Sequence, residues 1–165
     1  MLIEALVHGA RRYLDNLPAD NVLVKLDFSN AFNSVRRDAM REAVALHAPS
    51  LLGYIDSAYG AATTLRLGEH VIESAEGIQQ GDPLGPLLFC LTIHPILRSI
   101  QSAFVSGYLH DIGIGGDVNV VAADVMQLEQ DARAVGLTLN YKKCEVVEFV
   151  APRRRSFTLP GYTAA

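Results

Sequence analysis

The segment NVLVKLDFS, residues 21–29, limits the fold more than any other stretch of the chain. Val22, Leu23, Val24 and Leu26 make it nearly continuously apolar, the pattern of a strand buried on both faces. It runs out at a carboxylate, Asp27. A second stretch, FVSGYLHDIGIGG, residues 104–116, alternates around a tight turn and reads as a hairpin with Asp111 just past its tip.

The rest of the chain supplies the partners of these strands. Residues 2–17 place Leu2, Leu6, Ala10, Tyr13, Leu14 and Leu17 on one helical face that closes at Pro18. Residues 36–48 are predicted helical, and Pro49 opens another helix that runs to about Gly60. TLRLGEHVIESAE predicts a short hairpin turning at Gly68, and GIQQGDPLGP is too rich in glycine and proline to be anything but a loop. From Leu84 to about Ser102 the spacing predicts a helix apolar nearly all round, hence buried. Residues 117–135 predict an amphipathic helix through Val121, Val125, Leu128 and Ala132, and LTLN and CEVVEFV read as closing strands.

With the region between the first strand and the long apolar helix set aside, the order is strand, helix, hairpin, helix, strand. That is an α+β, split βαβ arrangement: a ferredoxin-like antiparallel sheet with helices packed on one face. The order brings Asp27 beside Asp111. Two aspartates at adjacent strand ends can hold a hard cation such as Mg²⁺, and a pair of such cations can clamp the oxygens of a phosphoryl transfer. Each aspartate taken alone is an ordinary strand-ending residue.

Composition narrows the class. Half of the 165 residues are apolar and only 19% are charged, enough for one domain with a sizeable core. A net charge of −4 and a pI near 5.7 argue against a surface built to coat nucleic acid, though not against a local basic patch. Cys90 and Cys144 show no CxxC spacing and indicate a reduced, intracellular protein of cytoplasm or nucleus. Glu4 interrupts what would be a signal peptide, and prolines break the most apolar run, so a soluble chain with no membrane association is expected.

The motifs resolve further as a series. LVKLDFSNAFNSVRRDAM, SAEGIQQGDPLGPLLFCLTIHPI, GYLHDIGIGG and GLTLNYKKCE stand in the order of palm motifs A, B, C and D of the reverse transcriptases, RNA-directed DNA polymerases. The chain resembles the retrotransposon, non-LTR-like type. The motifs fall near residues 22–35, 74–96, 107–116 and 136–146. The whole chain, residues 1–165, is expected to be a single palm domain, with full fingers and thumb absent. The resemblance implies template-directed nucleotidyl transfer at a two-metal site, from deoxynucleoside triphosphates to a DNA primer on an RNA template.

By that resemblance Asp27 is the first metal-binding aspartate of motif A, and the Phe28 carbonyl is a further ligand. Phe32 matches the aromatic gate against a 2′-hydroxyl, and Gln80 with Gly81 the motif B pair at the nucleotide and template. Lys143 matches the motif D lysine that helps pyrophosphate leave as a general acid. Arg36, Arg37 and Arg41 form a basic cluster able to meet phosphate or solvent.

One position departs from the pattern. Motif C of the family ends in two adjacent aspartates, of which the first is the principal metal ligand. Here that place is His110, and only Asp111 remains. Imidazole is a nitrogen ligand suited to zinc, copper or iron rather than magnesium, so binding of a second Mg²⁺ is expected to weaken, with Mn²⁺ tolerated better. Two outcomes follow: an impaired polymerase, helped by a partner chain that supplies fingers and thumb, or a catalytically dead retroelement fragment acting as a nucleic-acid- or protein-binding module. A phosphohydrolase built on the His110–Asp111 pair would need further helical ligands, which His47, His70 and His94 do not supply in any recognisable pattern. A serine hydrolase lacks its GxSxG elbow.

Overall fold

A computed structural model of the chain describes residues 2–148. The described backbone divides into two compact units, one drawn from residues 2–28, 99–130 and 139–148, the other from Ser29–Arg98 and Asp131–Thr138.

The first unit holds a four-stranded antiparallel sheet. Its strands are β1 (Asn21–Asp27), β4 (Phe104–Tyr108), β5 (Asp111–Asp117) and β6 (Glu145–Glu148), in the order β4-β5-β1-β6. That is the ferredoxin-like order expected from the sequence, and β1 is central in it. One face carries Val22, Val24, Leu26, Ile112 and Ile114, all buried. The same unit contains most of helix α6 (Val118–Ala134), whose Val121, Val125 and Leu128 are also buried. One face of the nearly continuous apolar run of β1 and the period-3.6 stripe of α6 thus contribute apolar surface to the core of this unit.

The opposite sheet face bears Leu23, Lys25 and Asp27 on β1. Helix α1 (Leu2–Asp15) reaches β4, where Tyr13 stacks on Phe104 with ring centroids 5.0 Å apart. The Tyr13 ring also lies against Gly115, where an added Cβ would meet it at 2.6 Å. A cleft of about 370 Å³ opens beside α1, lined among others by Val7, Leu23, Phe104 and Tyr108. The buried Asp124 carboxylate accepts from the N–H groups of Gln101 and Ser102 and from the Ser102 hydroxyl, fixing the entry to β4. Asp117 caps α6 by accepting from the Asn119 and Val120 N–H groups, a role that typically contributes about 1 kcal/mol.

The second unit contains the short helix α2 (Ala31–Ser34), α3 (Arg37–His47), a 3₁₀ turn (Pro49–Leu51) and α4 (Leu52–Tyr59). The hairpin β2 (Thr63–Leu67) and β3 (His70–Ser74) follows, then nearly all of α5 (Gly85–Ser99). Among the described residues, no helix is long and apolar enough to cross a membrane.

Two expectations need correction. Helix α5 is not buried all round: Leu88, Phe89, Thr92, Ile93 and Ile96 form its buried stripe, while Leu87 and Cys90 are exposed. A run of hydrophobic residues hides the 3.6 periodicity, so composition alone exaggerates burial. LTLN is not a strand. It contributes a single bridge, Leu139 to Phe28, because the chain turns at Asn140–Cys144 before pairing with β1. Residues 149–150 of the last expected strand, and the basic tail that follows, lie outside the described residues.

Candidate active site

The β1–β5 register ends on the pair Asp27↔Asp111. Directly opposed residues project to the same face, so the two carboxylates meet at the end of the two inner strands, on the side of Leu23 and Lys25. The neighbouring pair Tyr108↔Asp111 closes a two-residue turn, Leu109–His110. Leu109 sits at φ 54°, a left-handed conformation that a branched side chain adopts only under constraint, and it fixes where His110 begins.

One ligand atom from each of Asp27, His110 and Asp111 lies within 4.8 Å of the others. Asp27 is buried, with its side chain only 9% exposed, whereas His110 and Asp111 are partly open. Two carboxylates at this separation repel by about 3 kcal/mol at an effective dielectric of 20, and by about 1 kcal/mol where water screens them. Lysines offset the repulsion. Lys143 Nζ lies 4.0 Å from Asp27 Oδ1, and Lys25 Nζ lies 4.0 Å from Asp111 Oδ1 and 3.9 Å from Glu145 Oε1. His110 Nε2 stands 4.0 Å from Asp27 Oδ2.

The main chain of Asp27 is held from the adjoining turn. Asn140 N–H donates to the Asp27 carbonyl at 2.8 Å, and the Asp27 N–H donates to Cys144 Sγ at 3.4 Å. Phe28, one residue beyond, is buried and bridged to Leu139. This clamp fixes the backbone while the Asp27 Oδ1 atom, buried, has no hydrogen-bond partner among the described residues. A buried carboxylate oxygen is costly unless a cation or water completes it, and the Lys143 ammonium, 4.0 Å from this same oxygen, is one cation that faces it. The donor set fits one divalent cation. Two carboxylates and an imidazole offer it both oxygen and nitrogen ligands.

Phe32, Gln80 and Gly81 belong to the second unit. Phe32 stacks on Phe89 with centroids 4.9 Å apart, and its carbonyl accepts from Ile78 N–H at 2.7 Å. Gln80 Nε2 donates to Asn33 Oδ1 at 3.0 Å. The loop between β3 and α5 is therefore tied to α2 at several points. Arg37 adds hydrogen bonds to the Gly77 and Ser74 carbonyls and lies 5.3 Å over the Tyr59 ring. Asp82 accepts from the hydroxyls of Tyr54 and Tyr59 and from Leu84 N–H. Burial pushes Asp82 up, but these three hydrogen bonds outweigh it and hold the carboxyl below its usual range. Burial and the bond to Asp82 raise Tyr59 well above an ordinary phenol.

The basic cluster of α3 is committed to protein partners. Arg36 pairs with Asp38 and bonds the Ala134 carbonyl, and Arg41 pairs with Asp56 at 2.6 Å. Sequence reasoning passed over Lys25, although its position two residues before Asp27 in an extended strand places it on the same face. It also passed over Cys144 and the Tyr59–Asp82 pair. The first adjoins Lys143 in sequence; nothing in the sequence pattern links the other two.

Comparison with known proteins bears on the family and the fold. The family described as reverse transcriptase (RNA-dependent DNA polymerase) matches residues 2–164. The chain is 33% identical over 141 residues to the retrotransposable element SLACS 132 kDa protein of Trypanosoma brucei gambiense. It is 30% identical over 142 residues to the retrovirus-related Pol polyprotein from type-2 retrotransposable element R2DM of Drosophila melanogaster. Each match covers 76% of this chain and only 12% and 13% of the two relatives, so the chain spans about an eighth of their length. Among solved structures, apo telomerase from Candida tropicalis superposes with a TM-score of 0.65 over 88% of this chain and 32% of its own, at 9% identity. The same telomerase with a fragment of telomeric RNA gives 0.64 over 94% and 30%, at 11% identity, a likeness of fold alone. With the family matched over nearly its full length and two retroelement proteins among its relatives, the chain belongs to the reverse transcriptase family, of the non-LTR retrotransposon type.

Proposed function

We propose that this chain is the palm of a retrotransposon-type reverse transcriptase, and that His110 leaves its nucleotidyl-transfer site impaired. The observation that carries the reading is the Asp27↔Asp111 register pair at the end of the central strand, with His110 beside it. In the reaction of this family, the primer 3′ oxygen bonds to the α-phosphorus of a deoxynucleoside triphosphate and the bond to pyrophosphate breaks. Asp27, Asp111 and the Phe28 carbonyl would hold the divalent cation, which when bound offsets the charge of the attacking oxygen and the triphosphate. Lys143, beside Asp27, is suited to pass a proton to the departing pyrophosphate. Phe32 would bear on the sugar, and Gln80 with Gly81 on the incoming base pair. The RNA template and DNA primer are the macromolecular substrates of this reading.

The loss of an oxygen ligand at residue 110 favours a second reading, a binding module that retains the fold without the chemistry. Primer extension separates them. The segment would be placed in the matching region of the R2DM polyprotein and assayed on an RNA template with the native His110 and with His110→Asp. The polymerase reading expects the His110→Asp protein to incorporate templated deoxynucleotides, and Asp27→Asn to abolish this. A His110→Asp protein that folds, binds template and primer, and adds nothing would leave only the binding module.

A further inference from the structure

The imidazole at residue 110 changes what the site selects. Ligands on a tetrahedral zinc ion lie about 2.0–2.2 Å from it, which puts them roughly 3.4 Å from one another. The Asp27–His110–Asp111 atoms already fall within 4.8 Å, so closing on one ion takes only small rotations of the half-exposed His110 and Asp111 side chains. Asp27 does not need to move, because its backbone is clamped at both N–H and carbonyl. Its Oδ1 atom is buried and makes no hydrogen bond among the described residues; the Lys143 ammonium faces it at 4.0 Å, beyond hydrogen-bond reach, so a bound ion would replace that contact.

Charge sets the number of ions. Lys25 stands beside Asp111 and Lys143 beside Asp27, each at 4.0 Å. The two carboxylates therefore already face two ammonium groups. One divalent ion can join this set by displacing a lysine contact, but a second would bring two more positive charges against the first ion and the two ammonium groups, with only Glu145, itself paired with Lys25, nearby. Lys25 is the better-placed limiter, since it bridges Asp111 and Glu145 from the same strand face.

From these observations we propose that Asp27, His110 and Asp111 form a single-ion site for a nitrogen-accepting divalent transition metal of the zinc class, with Lys25 as the built-in counter-ion that holds its occupancy to one. The proposal deepens the nucleotidyl-transfer reading of the same site, yet its test needs neither nucleic acid nor turnover. The 165-residue chain, stripped with a chelator, would be titrated with Zn²⁺ and with Mg²⁺ against a chromophoric competitor, and the zinc form examined by X-ray absorption.

The expected result is one equivalent of Zn²⁺ bound at least 100-fold more tightly than Mg²⁺, with a nitrogen neighbour in the absorption spectrum. His110→Ala should weaken Zn²⁺ at least tenfold, with circular dichroism reporting that the variant is folded. His110→Asp should move the preference toward Mg²⁺. Lys25→Met should tighten Zn²⁺ about tenfold, while Lys25→Arg, which keeps the charge, should not. Zn²⁺ no tighter than Mg²⁺, two equivalents at this group, or affinity indifferent to His110 would each overturn the proposal. Templated extension restored by His110→Asp without zinc binding by the native chain would sink this inference alone; zinc binding without restored extension would sink only the polymerase reading.

Discussion

At residue 110 the proposed reading turns on a single side chain, and the turn decides where that side chain goes. Leu109 takes the left-handed position and His110 the next, so Asp111 begins β5 opposite Asp27. Alternation and motif order made Asp27, His110 and Asp111 legible in the sequence, because a strand end and a two-residue turn fix side-chain direction almost alone. Lys25 obeyed the same alternation and was still missed, since a lysine in an apolar run invites no chemical reading by itself. The turn through Cys144 was not legible, because it depends on contacts between residues far apart in the chain. Phe32 gives a residue-scale prediction. In a His110→Asp background with activity, Phe32→Val should admit ribonucleotides several-fold better, read as incorporation of matched ribo- and deoxynucleotides. Unchanged discrimination would mean that the Phe32–Phe89 stack is packing only.

The loop before α5 behaves as an element held by its neighbours, and its glycines test this. Gly77 has φ +68° and an added Cβ would lie 2.4 Å from the Asn33 carbonyl oxygen, whereas Gly81 has φ +88° with open space around it. Gly77→Ala should therefore cost roughly 3 kcal/mol or more, against about 1–2 kcal/mol for Gly81→Ala, which carries only the backbone term. Urea unfolding of the two variants measures the difference, and equal losses would contradict the clamp. The Tyr59–Asp82 pair adds a pH signature. Asp82 is depressed in the folded state, so its contribution is present above about pH 4 and is lost as pH falls through the folded value. Tyr59 is raised, so its contribution is present below about pH 10 and is lost as pH climbs beyond it. Melting temperature followed against pH should fall less steeply on the alkaline side in Tyr59→Phe than in the native chain. The existence of this loop was readable from its glycines and prolines. Its clamp was not, for the partners Arg37, Tyr54 and Tyr59 come from helices whose sequences show only amphipathic patterning.

For the whole molecule, charge is the governing quantity. The chain carries a net charge of −4, and Arg36, Arg37 and Arg41 are engaged with Asp38, backbone carbonyls and Asp56. Binding of an RNA–DNA duplex should accordingly be weak and phosphate-dominated, falling by about tenfold or more between 50 and 200 mM salt. A labelled duplex titrated at both concentrations tests this, and tight binding indifferent to salt would contradict it. The strand order was legible at this scale because the ferredoxin-like arrangement follows from element order. The central claim, that one side chain separates this site from an effective polymerase, is tested most directly by the single-nucleotide incorporation rate of the R2DM graft. With Mg²⁺ the native His110 protein should give no measurable rate, Mn²⁺ should restore a trace, and His110→Asp should raise the Mg²⁺ rate by orders of magnitude. Robust Mg²⁺-dependent incorporation by the unaltered His110 protein would contradict the claim and show that Asp27 and Asp111 suffice.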